Sequence, residues 1–387
     1  MVSDVRGVDS ALPERVRAEL PRGSLSQWQL ISLRFARHRV AVASLFMLMA
    51  LYCVALFAEF VAPYGPYERH LDYPYAPPQA LHFDFQRGLH TYALEPHVDP
   101  VTFRKHYVEL PNEPVALRLL RRGAPYRLWG LIPLERRLLA VEGAGQPEAA
   151  VAKGGIAPTF FLLGADRYGR DVFSRIVYGA RVSLSVGMIG LLFTFVLGVG
   201  IGGISGYAGG RTDNFIQRGI EVVQAFPQLP LWIALTAFLP GDWSALSVYF
   251  SITLLLSLLN WTGLARVVRG KILTLREEEY AVAARLMGAG HTRILFRHLL
   301  PGFTSHIIVA LTLSVPGLIL GETALSFLGL GLRPPIVSWG VMLQDCLDVK
   351  AVRFYPWLMA PVVFITLLVL SFNFFGDGLR DAADPYS

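Results

Sequence analysis

The sequence predicts an all-α protein that crosses a membrane six times and carries a small β-rich insertion between its first two membrane helices. Of its 387 residues, 53% are hydrophobic and only 17% are charged, whereas soluble domains carry about 25% charged residues. Six runs lack Asp, Glu, Lys and Arg, and each is near or above the roughly 18–20 residues that are needed to cross a hydrocarbon core. These runs cover residues 40–58, 182–210, 222–241, 243–265, 298–321 and 354–376.

The first element is a polar tail, residues 1–39, followed by a first membrane helix over 40–62. The segment from Trp28 to Arg39 predicts an amphipathic elbow helix on the inner membrane surface. The hydrophobic run begins too far into the chain for an ordinary cleaved signal peptide. We therefore expect this helix to be retained.

The insertion spans residues 63–160 and is rich in Pro, Tyr, His and Arg. Three short alternating stretches within it predict strands: 107–110, 115–120 and 138–142. Residues 66–160 contain 11 Lys or Arg and 10 Asp or Glu, a balance that does not suit a polyanion site. We expect a small extracytoplasmic domain that is mostly β, and a structureless loop is the alternative.

The remaining residues, 161–387, form the membrane core with helices 2–6 and an inner loop over 266–301. Seven basic residues lie in 266–297 and seven more in the tail, whereas the turn 240–244 has none. The positive-inside rule places the tail, this loop and the C-terminus in the cytoplasm. Basic residues beside membrane helices are explained by topology, so no nucleic-acid partner is predicted.

The inner loop contains the most informative segment. Ala281, Ala284 and Gly288 follow a spacing of three and four residues, so they share one helix face on which a partner backbone could approach closely. Glu279 lies near the helix start, where the macrodipole favours negative charge. Pro301 is expected to stop the segment where the next span begins. An ordinary inner-surface helix is the alternative.

Three further blocks carry recognisable patterns. The first, 163–181, passes from glycines and charges into an amphipathic helix, with Val172, Ile176 and Val177 on one side, that should lie along the outer interface. The others are 321–331 with the Trp339-Gly340 pair, and the closing 377–385. Gly198, Gly202, Gly206 and Gly210 form a ladder that favours close helix packing, so the embedded GxGxxG is not interpreted as a dinucleotide site.

The loop resembles the "EAA" segment of permease subunits of binding-protein-dependent ABC importers. In register with that pattern are Ala283, Ala284, Gly288, Leu300 and Pro301, whereas Val282 replaces its Glu and His298 its Ile. The other blocks resemble the dipeptide/oligopeptide/nickel branch of these permeases. The resemblance covers residues 28–62 and 160–385.

This resemblance implies a type I ABC importer permease in a bacterial inner membrane, with both termini in the cytoplasm. It implies an ATPase-coupling helix formed by Glu279, Ala281, Ala283, Ala284, Gly288, Leu300 and Pro301. The implied partners are a second homologous permease subunit (a heterodimer), two ATP-binding cassette subunits and an extracytoplasmic solute-binding protein. The solute would be a peptide or a similar small solute, such as a nickel chelate or an oligosaccharide.

No catalytic chemistry is expected of this chain, and no cofactor is expected to bind it. Its sequence contains neither GxxxxGK[ST] nor HExxH, so ATP and Mg would bind the partner ATPase subunits. Two alternatives remain open. One is a stand-alone secondary transporter or channel, and the other is a membrane-anchored protein whose insertion binds a ligand.

Three residues within the spans are candidates for the translocation path or its gate: Glu322, Asn260 and Pro316. Polar groups at membrane depth are costly and usually face a cavity or a partner. Glu322 could instead hold the fifth span to the following outer loop through hydrogen bonds, and this alternative is favoured. Pro316 is expected to kink the fifth span and to act as a gate hinge.

Overall fold

The computed structural model describes residues 26–101, 103–141 and 158–384. The basic tail before Ser26, the end of the predicted strand at Glu142 and the last three residues lie outside the described residues. The first helices are α1 (Gln27–Arg37), α2 (Arg39–Leu56), α3 (Ala58–Val61), α4 (Val172–Ala208), α5 (Gly210–Ala225), α6 (Gln228–Ala237) and α7 (Ala245–Leu275). The later helices are α8 (Glu279–Leu286), α9 (His291–Arg293), α10 (Thr304–Phe327), α11 (Trp339–Met342), α12 (Val349–Phe354) and α13 (Ala360–Ala383).

Five helical segments of the described chain are long and apolar enough to cross a membrane. They are Arg39–Leu56, Val172–Ala208, Ala245–Leu275, His291–Phe327 and Pro356–Ala383. Each contains the centre of one predicted hydrophobic run, so a mostly helical, multi-pass architecture is confirmed. The agreement arises because a span is coded locally, by length and by the absence of charge.

The predicted third span differs from the expectation of one straight helix over 222–241. Helices α5 and α6 meet there at 86°, and the pair counts as a sixth span only if taken together. The break lies at Phe226, which is extended (φ −86°, ψ 136°) before Pro227. Proline disfavours the helical conformation in the residue that precedes it, and this explains the position of the break.

Glycines bring α4 and α7 into close contact, as the ladder predicted. An added Cβ would lie 2.7 Å from the Leu264 side chain at Gly198, 2.5 Å from the Ala265 carbonyl oxygen at Gly202 and 2.8 Å from the Arg269 carbonyl oxygen at Gly206. The fourth member, Gly210, has no such neighbour. The contact positions increase together along both helices, so α4 and α7 run in the same direction. The α5–α6 pair therefore returns the chain to the end of the bundle where α4 begins.

Helix α4 also differs from the expectation. The predicted interfacial helix around Val172 and Ile176 is not separate, because α4 runs without a break from Val172 to Ala208. Val172, Ile176 and Val177 are buried, so the apolar side that indicated an interfacial helix packs inside the protein. Asp171 caps this helix, its carboxylate accepting a hydrogen bond from the Ser174 amide at 2.8 Å.

The insertion is built from antiparallel strands. The strands are β1 (His82–Asp84), β2 (Gly88–Val98), β3 (Lys105–Leu119), β4 (Arg122–Leu128), β5 (Ile132–Arg136) and β6 (Leu139–Val141). One sheet has the order β1-β2-β3-β6, and β4 pairs with β5 in a hairpin. The predicted strand at 107–110 and all but the last residue of that at 115–120 belong to the single strand β3, and β6 lies within the predicted 138–142.

Aromatic residues attach the insertion to the helices. The Tyr64 amide donates to the Ser174 hydroxyl of α4 at 3.1 Å. Tyr75 stacks on Tyr355 with ring centroids 4.0 Å apart. The Tyr75 amide also donates to the carbonyl oxygen of Asp166, in the segment before α4, at 2.9 Å. The insertion therefore contacts the segment before α4 and the loop before α13 at the same end of the bundle.

Candidate functional site

The predicted coupling segment forms α8, an eight-residue helix at the end of the bundle remote from the insertion. Helix α7 extends to Leu275 and the next long segment begins at His291, so the connecting loop is shorter than the predicted 266–301. The helix ends at Leu286, and Gly288 follows with φ +81°. Gly288 and Ala289 donate their amides to the carbonyl oxygens of Arg285 and Ala284. Glycine suits this left-handed position because it has no Cβ.

The small face of α8 is directed at the protein's own core, contrary to the prediction. Ala281 is 0% exposed and Ala284 is 4% exposed, and both belong to a cluster with Ile272, Ile294 and Leu299. Gly288 lies beyond the helix rather than on that face. A short amphipathic helix is stabilised mainly by burying its apolar side, and here the ends of the neighbouring helices provide the partner surface.

The opposite side of α8 carries large apolar residues in solvent. Leu286 is 83% exposed and Met287 is 82% exposed, and Tyr280, Val282 and Ala283 are exposed on the same helix. Exposed apolar patches of this kind mark contact surfaces. We call Tyr280, Val282, Ala283, Leu286 and Met287 the α8 outer surface. This surface was not predicted from the sequence, because the spacing of the small residues indicated the opposite face of the helix. The pair Leu286-Met287, two large apolar residues directly before a glycine, could have indicated it.

Polar contacts fix the base of α8 to the ends of α4 and α7. Arg276 donates to the carbonyl oxygens of Gly206 at 3.1 Å and Tyr207 at 3.3 Å. The Tyr207 hydroxyl lies 3.0 Å from Nδ1 of His291. Both chain segments that flank α8 are therefore tied to the last turn of α4, so displacement of α8 would be transmitted to the membrane helices.

A partly buried ion pair lies one layer deeper. Arg269 on α7 donates to both carboxylate oxygens of Asp213 on α5, at 2.5 and 2.6 Å. Ser205 on α4 donates to the same carboxylate at 2.5 Å. This bidentate arrangement joins three helices at the end of the bundle that carries α8. Neither Asp213 nor Arg269 was singled out from the sequence.

Leu300 and Pro301 are located in a 3₁₀-helix, Leu300–Phe303, which follows a π-helix at Ile294–Leu299. The helical segment nevertheless continues from His291 to Phe327, so Pro301 does not stop it and the span does not begin after it. Proline removes one backbone donor and clashes with the preceding turn. The change of helix type accommodates that defect without ending the helix. Glu279, Pro301 and Ala283 are exposed, and Leu300 is half-buried.

The three candidates within the spans have separate surroundings. Glu322 is 0% exposed, and its Oε1 accepts hydrogen bonds from Ser326 and Ser338, each at 2.8 Å. These two hydrogen bonds are the contacts expected if Glu322 holds the fifth span to the following loop, which is the alternative given above. The Asn260 amide donates to the Leu256 carbonyl oxygen of its own helix at 2.9 Å. Helix α10 continues through a buried Pro316, and a hinge there stays a prediction.

The charged block before α4 forms a second polar cluster, at the insertion end. Asp166 accepts hydrogen bonds from Arg170 at 2.7 Å and from the buried Arg175. Arg167 lies 3.1 Å from Asp345 in the loop before α13. Burial raises the pKa of Asp345, and the neighbouring Arg167 guanidinium opposes that rise. These charges connect the turn before α4 to the later loop.

No group of three or more His, Cys, Asp or Glu among the described residues is placed to hold a metal ion. The candidate site is a contact surface, α8 with its outer surface, supported by the helix ends beneath it.

Residues 198–386 match the family "Binding-protein-dependent transport system inner membrane component", and residues 26–78 match "N-terminal TM domain of oligopeptide transport permease C". The dipeptide transport system permease protein DppC of Bacillus subtilis strain 168 is 44% identical over 223 residues, 58% of this chain and 68% of that protein. The chain belongs to this family of transport permeases.

Other relatives of this permease carry related names. The oligopeptide transport system permease protein OppC of Haemophilus influenzae is 39% identical over 233 residues, 59% of this chain and 72% of that protein. The glutathione transport system permease protein GsiD of Pectobacterium atrosepticum is 39% identical over 223 residues, 58% of this chain and 72% of that protein. A chain of the inward-facing MetNI methionine ABC transporter aligns with a TM-score of 0.40 and 17% identity over 54% of this chain and 96% of its own length.

Membership in the family of binding-protein-dependent transport permeases assigns a role to the chain. It is a multi-pass membrane permease component of a binding-protein-dependent ABC importer, and the family is not itself catalytic. The spans form the membrane-crossing part of such a component.

Proposed function

We propose that this permease is the membrane half of an ATP-driven importer for peptides or similar small solutes, with the type I importer fold. It pairs with a second homologous permease subunit, two ATP-binding cassette subunits and an external solute-binding protein. ATP and Mg bind the cassette subunits. The proposed location is a bacterial inner membrane, with both termini in the cytoplasm and the insertion outside.

The observation that carries this proposal is the α8 outer surface. Two large apolar side chains, Leu286 and Met287, are almost fully in solvent at the tip of a short helix whose base is fixed to α4. Apolar side chains concentrated at one exposed point favour a protein partner that covers them. The cassette ATPase is the partner that fits a surface on this side of the membrane.

The mechanism follows from the connections of α8. Closure of the ATPase dimer on ATP binding would displace α8, and Arg276 would pass the displacement to the last turn of α4. The α4–α7 pair, in close contact along the glycines of α4, would move as one body and open the solute path outward. Hydrolysis would reset it inward. Transport then depends on a coupling free energy between two distant parts of the chain, the α8 outer surface and the solute path.

The peptide assignment rests on the names of the relatives, which include dipeptide and oligopeptide permeases. The role of the insertion is proposed as a docking platform for the solute-binding protein, because it lies at the end of the bundle opposite α8. Deletion of the insertion that leaves uptake unchanged would refute that role.

Uptake measurements separate this proposal from a stand-alone secondary transporter. Labelled di- and tetrapeptides would be offered to cells with and without the chain, under a protonophore that preserves ATP and under ATP depletion that preserves the proton gradient. An ATP-driven importer survives the first treatment and fails under the second. The reverse pattern would establish the secondary transporter, and uptake unaffected by loss of the chain would remove the peptide assignment.

A further inference from the structure

The β4–β5 hairpin and the residues that flank it concentrate the positive charge of the insertion. Residues 118–138 contain six arginines and one glutamate, whereas residues 66–117 contain four basic and seven acidic residues. The insertion has nearly equal numbers of basic and acidic residues overall, but this one segment of it is strongly cationic. We call residues 118–138 the arginine hairpin. Arg127 and Arg136 are both exposed there.

The arginine hairpin also exposes several large apolar side chains. Its exposed large apolar residues are Leu119, Leu120, Trp129, Leu131, Ile132, Leu134 and Leu138. Leu131, at the turn, is 79% exposed. A surface that is both cationic and apolar, with a tryptophan at its tip, has the composition of segments that lie in a membrane interface.

The turn of the hairpin lies at the end of a membrane helix. The Trp129 indole donates to the carbonyl oxygen of Leu56 at 2.8 Å, and its ring lies 6.1 Å from that of Phe57. Leu56 is the last residue of α2, the first span. The turn is therefore at the level where a span leaves the hydrocarbon core, and tryptophan is enriched at that level.

A groove of about 610 Å³ opens beneath the turn, between α2 and α4. Its lining includes Tyr52, Ala55, Leu56, Leu184 and Met188. Leu56 and Met188 are exposed, so the groove opens on the outside of the bundle, where lipid surrounds a membrane protein. The Tyr52 hydroxyl is buried and has no hydrogen-bond partner among the described residues. A buried hydroxyl without a partner is costly, and an ester carbonyl of a lipid would satisfy it.

A salt bridge closes the upper end of the groove. Arg181 donates to both carboxylate oxygens of Glu59, at 2.7 and 2.6 Å. Burial acts to raise the pKa of Glu59, but the hydrogen bonds and charge of Arg181, together with hydrogen bonds from the backbone, outweigh it and lower that pKa. The pair is therefore ionised at neutral pH and its charges are balanced. The positive charge that is exposed to a ligand comes from Arg127 and Arg136 of the arginine hairpin.

We propose that the arginine hairpin and this groove together bind an anionic phospholipid of the leaflet at the insertion end. The headgroup phosphate lies against Arg127, Trp129 sits at the glycerol level, and one acyl chain fills the groove beside Tyr52. The occupant is a lipid rather than a protein because the groove is bounded by two membrane helices and opens on their outer side. This site is separate from the solute path and from α8.

Quenching of tryptophan fluorescence by brominated lipids tests the proposal. The full-length chain, with the subunits that co-purify, is reconstituted in phosphatidylcholine vesicles that contain an equal minor fraction of brominated phosphatidylglycerol or brominated phosphatidylcholine. The chain has seven tryptophans, so the signal of Trp129 is the difference between the wild type and Trp129→Phe. We expect quenching of that signal, stronger with the brominated anionic lipid.

A matched pair of variants tests the headgroup contact. Arg127→Gln should lower the preference for the anionic lipid by about fivefold, the effect of one basic residue near an anionic surface. Arg87→Gln removes the same charge from an exposed position in the turn between β1 and β2 and should leave the preference unchanged. Both changes lie on the surface, so neither should disturb folding.

Three results would overturn the proposal. Absence of quenching by either brominated lipid would mean that a protein partner covers the hairpin. Equal quenching by the two lipids, unaltered by Arg127→Gln, would leave a surface without anionic recognition. An equal loss of preference in Arg87→Gln and Arg127→Gln would reduce the effect to net charge.

Discussion

Substitutions at Gly288 separate backbone strain from partner docking. A non-glycine residue in the left-handed conformation costs about 1–2 kcal/mol, and asparagine costs less than other residues. An added Cβ would meet nothing within 4 Å, so side-chain bulk adds no clash within this chain. Gly288→Ala and Gly288→Trp should therefore lower the thermal stability of the isolated chain equally, and Gly288→Asn should lower it less.

Transport should respond differently from stability. If the cassette ATPase contacts the end of α8, the tryptophan must be accommodated at that interface. Overpacking costs about 1–3 kcal/mol, which corresponds to roughly a five- to 150-fold weaker contact. We therefore expect Gly288→Trp to transport far less than Gly288→Ala although the two chains are equally stable.

The assay pairs two measurements on the same samples. Melting temperatures in detergent report strain, and solute-stimulated ATP hydrolysis of the assembled importer in vesicles reports coupling. Equal coupling in Gly288→Ala and Gly288→Trp would refute the reasoning, because the open space beside Gly288 would then remain open in the complex.

Further predictions concern the membrane helices and the outer loop. Glu322→Gln keeps an acceptor for its two serines and should preserve uptake, whereas Glu322→Ala should lower the melting temperature; lost uptake at unchanged stability in the glutamine variant would instead place Glu322 in the solute path. Gly202→Ala should destabilise by about 1–3 kcal/mol because its Cβ would meet backbone, whereas Gly200→Ala, with open space around it, should not; equal melting temperatures would contradict this packing. Burial raises the pKa of the Cys346 thiol from 9.0 to about 11, so near pH 8 its thiolate is about 100-fold scarcer than in an unfolded chain. In a Cys53→Ser variant, where Cys346 is the remaining cysteine, alkylation should therefore be slower than in the denatured chain. Equal alkylation rates would be inconsistent with that burial.

The membrane helices were predictable because their code is local. Runs without charge identified five long helices, and the spacing of Gly198, Gly202 and Gly206 identified a close helix contact. The bend at Pro227 was not predicted, because the run 222–241 is apolar on both sides of the proline. Hydropathy alone does not register a change in direction.

The orientation of α8 could not be read from the sequence. Ala281 and Ala284 suit contact with any backbone, and only the folded chain shows that they contact their own helix ends. The insertion was also predicted only in part. Alternation of apolar and polar residues located β3 and β6, whereas the charge of the arginine hairpin was included only in the balanced count of basic and acidic residues. Tertiary contacts decide which of two plausible faces is buried.

Recovery of partner subunits is the most direct test of the central claim, that the α8 outer surface binds a separate ATPase. The tagged full-length chain would be purified from its native membrane in mild detergent and its companions identified by mass spectrometry. The wild type should bring down a cassette ATPase and a second permease, and a Leu286→Asp, Met287→Asp variant should lose the ATPase but keep the permease. The control, Phe85→Asp, alters an exposed apolar residue of the insertion and should keep both. Undiminished ATPase in the α8 variant, or a wild-type chain purified without any ATPase, would contradict the account.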